Sequence, residues 1–591
     1  MSKTIDTTPP PAGRLSESVV DFLCQRRERF ASSTAVIDAE GAHTYEDILG
    51  KSERIARHLV ATGWDSEFIV LFLDTGADAS LGILASMLAG KCSVVVTDQR
   101  QLETMLARFP AAPVVLKTAG QPIPHGLAES GRHLVDLTTL PDLPSVDTEL
   151  PRFPFPTTPA QVILTSGSTG EAKAVLHPHC AIQNQIRNFS RYTGITPADR
   201  IAVIAPLHTI TGQSSLFSAL LNGAAACFYS VETGGIDGFA DWIQRHQITI
   251  LHATPTIFRH LADLTRERDE CFSSLRLVRI GGEPITASDL EAIRSMTSPD
   301  CAIYLGYGCS ELGTITRLIV DHETSKSVDF THGVPVGQPC ENITVTICDG
   351  DGMPLPEGEV GEVVVSSDYL SLGYHDDPDA NRSSYFRAFD GTRSYRTGDL
   401  GVMLNGNLFL RGRADRQVKI RGHRVELDAV EAQLSAIPGF GTVAVEAVES
   451  HSINDPAAVQ LNAFLASEQP ELLSARALRQ VAAAVISPVI VPARFLILPE
   501  LPQTRNGKID REALRQLAKM RSPETATPPE SELEAWLLGR WRALLHRDDM
   551  GTHEDFFELG GDSMTAVRIF HEIAGRTGTV LPVSILLEAP T

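Results

Sequence analysis

The sequence predicts an α/β fold: a large N-terminal core of layered β-sheets and helices, then a smaller α+β unit. Two observations carry this reading. The apolar runs IAVIAPL, AACFYSV, ITILHATP and LRLVRIGGEP are each short, end near Gly, Pro or Thr, and lead into helical patterns. Unbroken apolar runs of this kind belong to strands buried on both faces, and ligands in such folds sit where loops leave the strand carboxyl ends. The second observation is length. A chain of 591 residues exceeds what one core holds, so two or more packed units are required.

The elements follow in order. Residues 1–14 form a polar, Pro-containing lead without the apolar stretch of a signal peptide. Thr44 opens a helical run, TYEDILGKSERIARHLV, with Ile48, Ile55, Leu59 and Val60 apolar. Phe68–Leu73 reads as a strand and Ser80–Leu88 as a helix of small residues. After Tyr395 the texture changes. Glu362–Val365 and Leu408–Leu410 read as strands, and Arg411–Arg424 is dense in charge. A helix near Leu427–Ile437, the strand GTVAVEAV, a strand around Leu461–Leu465, a helix near Ala475–Val485, a strand at Arg494–Leu498 and a helix from Asp510 make the α+β unit. MRSPETATPPE has the composition of a linker. The predicted organisation is therefore a lead at 1–14, a core at 15–414, a small unit at 415–519, a linker at 520–530 and a third unit at 531–591.

Composition narrows the partners. The formal net charge is −22, which argues against a nucleic-acid surface or an anionic membrane. It does not exclude a nucleotide, because local Lys and Arg can build an anion site. No stretch of 18 residues is unbroken apolar, so no membrane span is expected. The nine cysteines form no CxxC pair, and they read as reduced thiols in a cytoplasmic protein.

The most informative segment is Thr165-Ser166-Gly167-Ser168-Thr169-Gly170-Glu171-Ala172-Lys173, which follows the strand-like QVIL. It holds two Gly, four hydroxyl residues and a Lys. Glycines let backbone N–H groups turn toward one point, hydroxyls add donors, and Lys adds charge. That combination suits a polyphosphate. A flexible linker would not follow an apolar strand and end in Lys before another apolar run. A P-loop needs GxxxxGK[ST], and here Ala stands on both sides of Lys173.

This segment resembles the phosphate loop of the adenylate-forming superfamily, which includes acyl-CoA ligases and nonribosomal peptide synthetase adenylation domains. The resemblance extends over roughly residues 30–515. Gly281-Gly282-Glu283-Pro284 and Tyr307-Gly308-Cys309-Ser310-Glu311 are similar to the two adenine-side motifs. The likeness implies that Tyr307 stacks on adenine and that Glu311 holds Mg²⁺, with Ser310 where Thr is usual. Tyr395-Arg396-Thr397-Gly398-Asp399 resembles the ribose motif, with Asp399 accepting from both hydroxyls. In Gly412-Arg413-Ala414-Asp415, Asp415 would be the hinge and Arg413 would lie near the ribose and phosphate. Asn506-Gly507-Lys508-Ile509-Asp510 resembles the terminal motif with its mobile lysine, Lys508. The loop Lys419–Arg424, centred on Gly422, resembles the thiolation loop that replaces Lys508 after the small domain swings.

The implied chemistry uses ATP and Mg²⁺. A carboxylate approaching the α-phosphate brings two anions together, which is repulsive in a dry site. Lys508 would bridge them, Mg²⁺ on Glu311 would offset phosphate charge, and the Thr165–Thr169 hydroxyls would hold the outer phosphates. The attacking carboxylate is already deprotonated, so positioning and charge stabilisation suffice.

A second resemblance lies at Asp555-Phe556-Phe557-Glu558-Leu559-Gly560-Gly561-Asp562-Ser563, which is similar to the 4'-phosphopantetheine site of acyl or peptidyl carrier proteins. Ser563 stands at the start of a helix expected over Met564–Ile573, where a phosphate is favoured. SELEAWLLGRWRALLH supplies an earlier helix of a partial four-helix carrier domain. The family's carrier has one more helix beyond LPVSILLEAPT. A longer synthetase, with a reductase, condensation or thioesterase domain downstream, is expected, as is a phosphopantetheinyl transferase partner.

The acid is the least constrained part. Pro206–Gly212 resembles an acyl-CoA ligase pattern in which His208 gates the acyl pocket. By alignment on Asn222-Gly223-Ala224, Ile210 stands where amino-acid-activating relatives hold an Asp for the α-ammonium. An apolar residue there cannot pair that charge, so an ordinary α-amino acid is disfavoured. The same alignment makes Ile210, Thr211, Ser214, His252, Arg279, Gly281, Gly306, Thr314 and Ile315 wall positions. His252 and Arg279 point to a polar or anionic tail if they face the pocket. The alternative is a satisfied core His and an Arg turned outward. A small carboxylic acid loaded onto Ser563 is the leading reading; a free acyl- or aryl-CoA ligase and a catalytically silent carrier scaffold are its rivals.

Overall fold

The computed structural model describes residues 18–591 except 64, 117–126, 128–132, 138–147, 152–156, 166–172, 269–271, 322–331, 389–390, 415, 421–422, 441, 450–458, 468–473, 488–489, 504–508, 520–526, 546–549, 558, 560, 562, 580 and 583–584. The expected lead at 1–14 and most of the expected linker lie outside the described residues.

Two large sheets form the core. One has nine strands, running from Gln338–Pro339 through Gly313–Val320, Ala302–Cys309, Leu277–Ile280, Ile250–Ala253, Arg200–Val203, Ala225–Phe228 and Thr34–Asp38 to Gly41–Thr44. Its middle is parallel and both edges are antiparallel. The other has seven strands, Gly373–Tyr374, Lys173–Pro178, Pro159–Thr165, Cys92–Val96, Phe68–Phe72, Val114–Leu116 and Leu134–Asp136. Parallel central strands explain the unbroken apolar runs, because each strand is covered on both faces.

Between these sheets lie the helices His179–Thr193 and Ile210–Leu220. Leu71 and Val95 of one sheet and Val203, Leu277 and Tyr304 of the other share one apolar cluster with Ile186, Phe189, Leu216 and Phe217 of the helices. The outer face of the nine-stranded sheet is covered by the helices Val231–Arg245, Pro255–Arg268 and Ala287–Met296. A third, antiparallel sheet joins Thr344–Cys348, Gly361–Ser366, Arg393–Leu404 and Tyr385–Arg387, with Asn407–Arg413 paired onto Arg393–Leu404. The strand bearing Tyr395 belongs to this sheet. That strand runs on to Leu404 inside the same sheet.

Local signals explain several boundaries. Thr44 caps the helix Tyr45–Ala61: its hydroxyl accepts from the Asp47 amide at 3.1 Å, and the Asp47 carboxylate accepts from the Thr44 amide at 3.0 Å. The helix expected from Ser80 begins earlier, at Ala77, where the Asp38 carboxylate accepts from the Ala77 amide at 2.9 Å. That contact joins residues remote in sequence and has no local signature.

After Arg413 the hairpin of Gln417–Ile420 and His423–Glu426 leads into Leu427–Ser435, Val443–Glu449, Val459–Ala466, Ala475–Val485, Arg494–Leu498 and Arg511–Lys519. Part of the charge density has a structural use. Arg416 donates to Glu431 at 3.0 Å and to Glu446 at 3.1 Å, and Arg511 donates to both carboxylates from the other side.

Among the described residues the last segment has three helices: Glu532–Leu545, Ser563–Thr577 and Ile585–Glu588. The middle one is longer at both ends than the Met564–Ile573 expected. Trp541 packs edge-on to Phe556 at 5.1 Å, within a cluster of Leu538, Leu559, Ile569, Phe570 and Leu586. Gly561 explains its own identity: a Cβ there would lie 2.5 Å from the Phe556 ring. This segment packs on the rest of the chain. The helix Ser563–Thr577 lies against Val231–Arg245 of the core, with Val567 next to Gly235. Asp555 pairs with Arg479 of the helix Ala475–Val485. No described helix is long and apolar enough to cross a membrane. None of the described cysteines forms a disulfide, and Cys271 lies outside the described residues.

Replacing Gly561 by Val should overpack Phe556 and cost about 1–3 kcal/mol. Calorimetry of the full chain should show the transition of the last segment moved down, with the transition of the large core unmoved.

Candidate active site

The ribose motif is built by its strand. Thr397 donates to the Val363 carbonyl at 2.7 Å and accepts from the Asp399 amide at 3.0 Å. Gly398 takes φ +72°, a conformation that favours glycine, and its amide donates to Glu362 at 3.2 Å. Arg396 pairs with the same Glu362 at 2.7 Å. These contacts fix Asp399, which is 8% exposed. Its Oδ2 accepts from the Tyr307 hydroxyl at 2.5 Å and its Oδ1 from Arg413 at 2.5 Å. Asp399 and Arg413 are cross-strand partners, and Tyr307 arrives from the nine-stranded sheet. Three motifs separated by as many as 106 positions thus meet at one carboxylate. Burial, then Asp399, pushes the Tyr307 phenol well up, so it stays a donor.

Glu311 forms a second polar centre. It is 1% exposed, and its Oε1 accepts from the Tyr374 hydroxyl at 2.6 Å. Tyr395 stands 3.2 Å from that hydroxyl. The Glu311 carbonyl accepts from the Ser371 amide at 2.8 Å, and Ser371 bonds the Tyr385 hydroxyl at 2.7 Å. His177 donates to the Ser310 carbonyl at 2.6 Å. Burial pushes that imidazole down to about 4, so it is neutral near pH 7 and positions backbone rather than supplying charge. Sequence reasoning missed His177, Ser371, Tyr374 and Tyr385 as site residues. They stand in no local motif, and only the sheet pairing brings them in.

The phosphate loop closes a hairpin. Thr165 ends one strand, Lys173 begins the next, and the two are register partners. Ser166, Gly167, Ser168, Thr169 and Gly170 lie outside the described residues. Lys173 stands 3.5 Å from Glu426 of the strand His423–Glu426 and 5.5 Å from the centre of the Tyr374 ring. Gly281, Gly282 and Pro284 follow the strand Leu277–Ile280, and Glu283 there accepts from the Thr256 amide at 3.1 Å and hydroxyl at 2.8 Å. Gly308 sits at the end of Ala302–Cys309, one residue beyond Tyr307.

The expected wall divides. Arg279 donates to Thr314 at 2.5 Å, with His252 its register partner on the next strand. Gly306 lies on the strand that flanks Arg279 on its other side. Ser214 accepts from Gln185 at 3.1 Å. Ile210 packs against the cluster of Ile163, Val175 and Tyr374. Thr211 accepts from Ser215 through its carbonyl at 3.0 Å. Ile315 packs instead with Tyr307, Val336 and Tyr395, apart from the Arg279 group. The His208 ring stands 3.3 Å from the Thr97 hydroxyl, and its carbonyl accepts from the Leu164 amide at 3.0 Å, tying it to the strand before the phosphate loop.

Lys508, Asp415 and Gly422 lie outside the described residues. The segment holding Lys508 is bracketed by a bridge between Gln503 and Ile509. Ser563 is the first residue of the helix Ser563–Thr577.

Residues 24–375 match the family of AMP-binding enzymes. The chain belongs to that family. Residues 535–591 of this AMP-binding enzyme match the phosphopantetheine attachment site family. The chain is 30% identical over 591 residues to a plipastatin synthase protein of Bacillus subtilis (strain 168), covering 97% of this chain and 22% of that protein. It is 29% identical over 565 residues to tyrocidine synthase 1 of Brevibacillus parabrevis, covering 94% and 50%. The chain therefore spans half or less of these relatives. In structure it is similar to holo-PA1221, an NRPS protein containing adenylation and PCP domains, with TM-score 0.75 and 21% identity over 95% of this chain and 93% of that one. It also resembles o-succinylbenzoate CoA synthetase from Bacillus subtilis, with TM-score 0.72 and 22% identity over 84% and 98%.

As an AMP-binding enzyme with a carrier segment, the chain is an AMP-forming acid–thiol ligase that uses ATP, Mg²⁺ and 4'-phosphopantetheine. Its residues fit these groups. A carboxylate has about four lone-pair positions, so Asp399 can accept from ribose hydroxyls while it keeps Tyr307 and Arg413. No cluster of three or more metal-ligating side chains occurs among the described residues. Mg²⁺ needs none, because it is commonly held by one or two carboxylates with phosphates and waters, and Glu311 offers one. The helix opened by Ser563 runs 15 residues, and its first turn favours a phosphate.

Asp399→Asn should raise the KM for ATP by roughly 10- to 100-fold, the scale of one or two charge-assisted hydrogen bonds. The ATP dependence of pyrophosphate exchange measures this, and an unchanged KM would remove Asp399 from nucleotide binding.

Proposed function

We propose that this chain activates a small carboxylic acid other than an ordinary α-amino acid, as an acyl-adenylate, and loads it onto phosphopantetheine at Ser563. It would serve as the loading part of an NRPS-like synthetase or a carboxylic acid reductase. One observation carries the reading: the strand that follows Gly422 reaches the base of the phosphate loop, through Glu426 and Lys173, while the helix opened by Ser563 lies against the core. Both contacts support the reading, because thioester formation needs the small unit against the core and the carrier held on the same body.

The division of labour follows. Asp399, Tyr307 and Arg413 hold the nucleoside, and Glu311 holds Mg²⁺ against the phosphates. Thr165 to Gly170 and Lys173 grip the phosphates. Lys508 bridges the attacking carboxylate and the α-phosphate in the other arrangement, reached by rotation at Asp415. Ile210 supports exclusion of an α-ammonium, because it packs with Val175 and Tyr374 and brings no charge.

Lys508→Ala should lower substrate-dependent pyrophosphate exchange by roughly 10²–10³, the scale of one preorganised electrostatic donor. Ser563→Ala should leave exchange intact and abolish the mass gain of phosphopantetheine and then of acyl. Acyl transfer to free CoA at an undiminished rate in that variant would favour a CoA ligase.

Docking generates a separate expectation. Arg479 is 2% exposed, pairs with Asp555 and lies 5.5 Å from the Phe557 ring. Asp555→Asn keeps a similar shape and removes the charge. It should slow acyl loading about tenfold, the low end for a charge-assisted hydrogen bond, with exchange within twofold of wild type. Single-turnover loading, followed by intact-protein mass, reads the difference.

A further inference from the structure

Strand alternation fixes the direction of Arg279. On Leu277–Ile280, Val278 and Ile280 belong to the cluster on the outer face of the nine-stranded sheet, and Leu277 belongs to the inner one. Arg279 therefore faces inward, as Tyr304 beside it does. Its guanidinium lies 5.0 Å from the Phe189 ring and 5.4 Å from the Tyr304 ring, and donates to Thr314 at 2.5 Å. A guanidinium carries five N–H donors and keeps its charge in proteins.

Among the described residues no carboxylate pairs with it. The groups felt by its charge are Tyr304, Cys340 and His252. His252 brings no counter-charge either, because burial, then Arg279, pushes its imidazole well down and leaves it neutral. Three other guanidiniums among the described residues show how such groups are usually satisfied here. Arg259 meets Asp289 at 2.6 and 3.1 Å, and Arg276 meets Asp199 through two bonds of 2.7 Å. Arg294 donates to the carbonyls of Cys301 at 2.6 Å and Val320 at 2.7 Å.

A buried unpaired cation is costly, and stacking on two rings offsets only part of that cost. Arg279 and His252 also keep part of their surface accessible although protein surrounds both deeply. Both can therefore still meet a small polar partner. Of the two faces of the sheet, Arg279 therefore takes the inner one.

We infer that the acid activated here carries a second carboxylate at its far end, and that Arg279, aided by Thr314 and neutral His252, receives it. The inference rests on the adenylation reading above. The planar fork matches a carboxylate through paired N–H···O bonds, which a ring face cannot supply. With apolar Ile210 offering no partner for an α-ammonium and Arg279 offering one for a carboxylate, the favoured class is a dicarboxylic acid without an α-ammonium.

Pyrophosphate exchange by the full chain tests this with matched acids: glutarate against valerate, and isophthalate against m-toluate. The best wild-type substrates should be diacids, preferred at least tenfold in kcat/KM over their neutral-tailed partners. Arg279→Met should lower kcat/KM for the diacid on the order of 10²-fold and invert the preference, as expected when a buried charge loses its partner. Arg279→Lys should restore part of the preference, and thermal melting with ATP reports whether each variant is folded. Exchange confined to neutral-tailed acids would overturn the inference and leave adenylation standing. An unchanged preference in folded Arg279→Met would also overturn it. Absence of exchange with every acid would remove both.

Discussion

The site depends on a single buried carboxylate. Asp399 is reached by Tyr307 from one sheet and by Arg413 from the neighbouring strand of another. An ionised carboxylate in such a place is tolerated only with donors on both oxygens. Once those donors are in place, the two sheets are held together at this point. The proposed nucleoside site and the joint between sheets would thus share one carboxylate. The preceding residues serve it: Thr397 ties the strand to Val363, and Gly398 turns the chain so that Asp399 points inward.

Glu311 shows the same economy with a different outcome. It accepts from a phenol, Tyr374, backed by Tyr395, and burial pushes the Tyr374 phenol far up. That donor stays neutral and brings no counter-charge to Glu311, which suits the proposed role of a carboxylate offered to a hard cation. A guanidinium in the same place would have cancelled that charge. Arg393, the nearby cation, is instead directed to the Ser371 and Leu372 carbonyls and stacked 4.7 Å from the Tyr385 ring.

Legibility in the sequence followed the range of the interaction. Thr44 could be read because its cap is written within a few residues, whereas Asp399 and Ser563 were legible only through their motifs' resemblance to a family. The helix Ala475–Val485 and the strand Arg494–Leu498 could be read because their period is unbroken. The partners of Glu311 could not. Tyr374 is 63 positions away, and His177 is 133 from Ser310. Neither carries a pattern of its own. Arg279 was intermediate: its type was visible, but its direction needed the register of three parallel strands and the identity of both apolar clusters. Ile315 illustrates the reverse error, since spacing alone placed beside Thr314 a residue that the strand turns toward Tyr395.

The distribution of cations then orders the whole cleft. Arg413 is committed to Asp399, and Lys173 is shared with Glu426 of the small unit. Lys173 is still partly accessible, and Glu426 approaches it at 3.5 Å rather than in a tight bond, so a phosphate arriving at the loop can compete for it. A lysine is a mobile point charge and suits an exchange of partners, whereas an arginine fork suits a partner that stays. The two residue types fall accordingly. The lysine stands at the start of its strand, facing Glu426 of the small unit. The arginines stand against partners that stay: Arg413 against Asp399, and Arg279 between the Phe189 and Tyr304 rings.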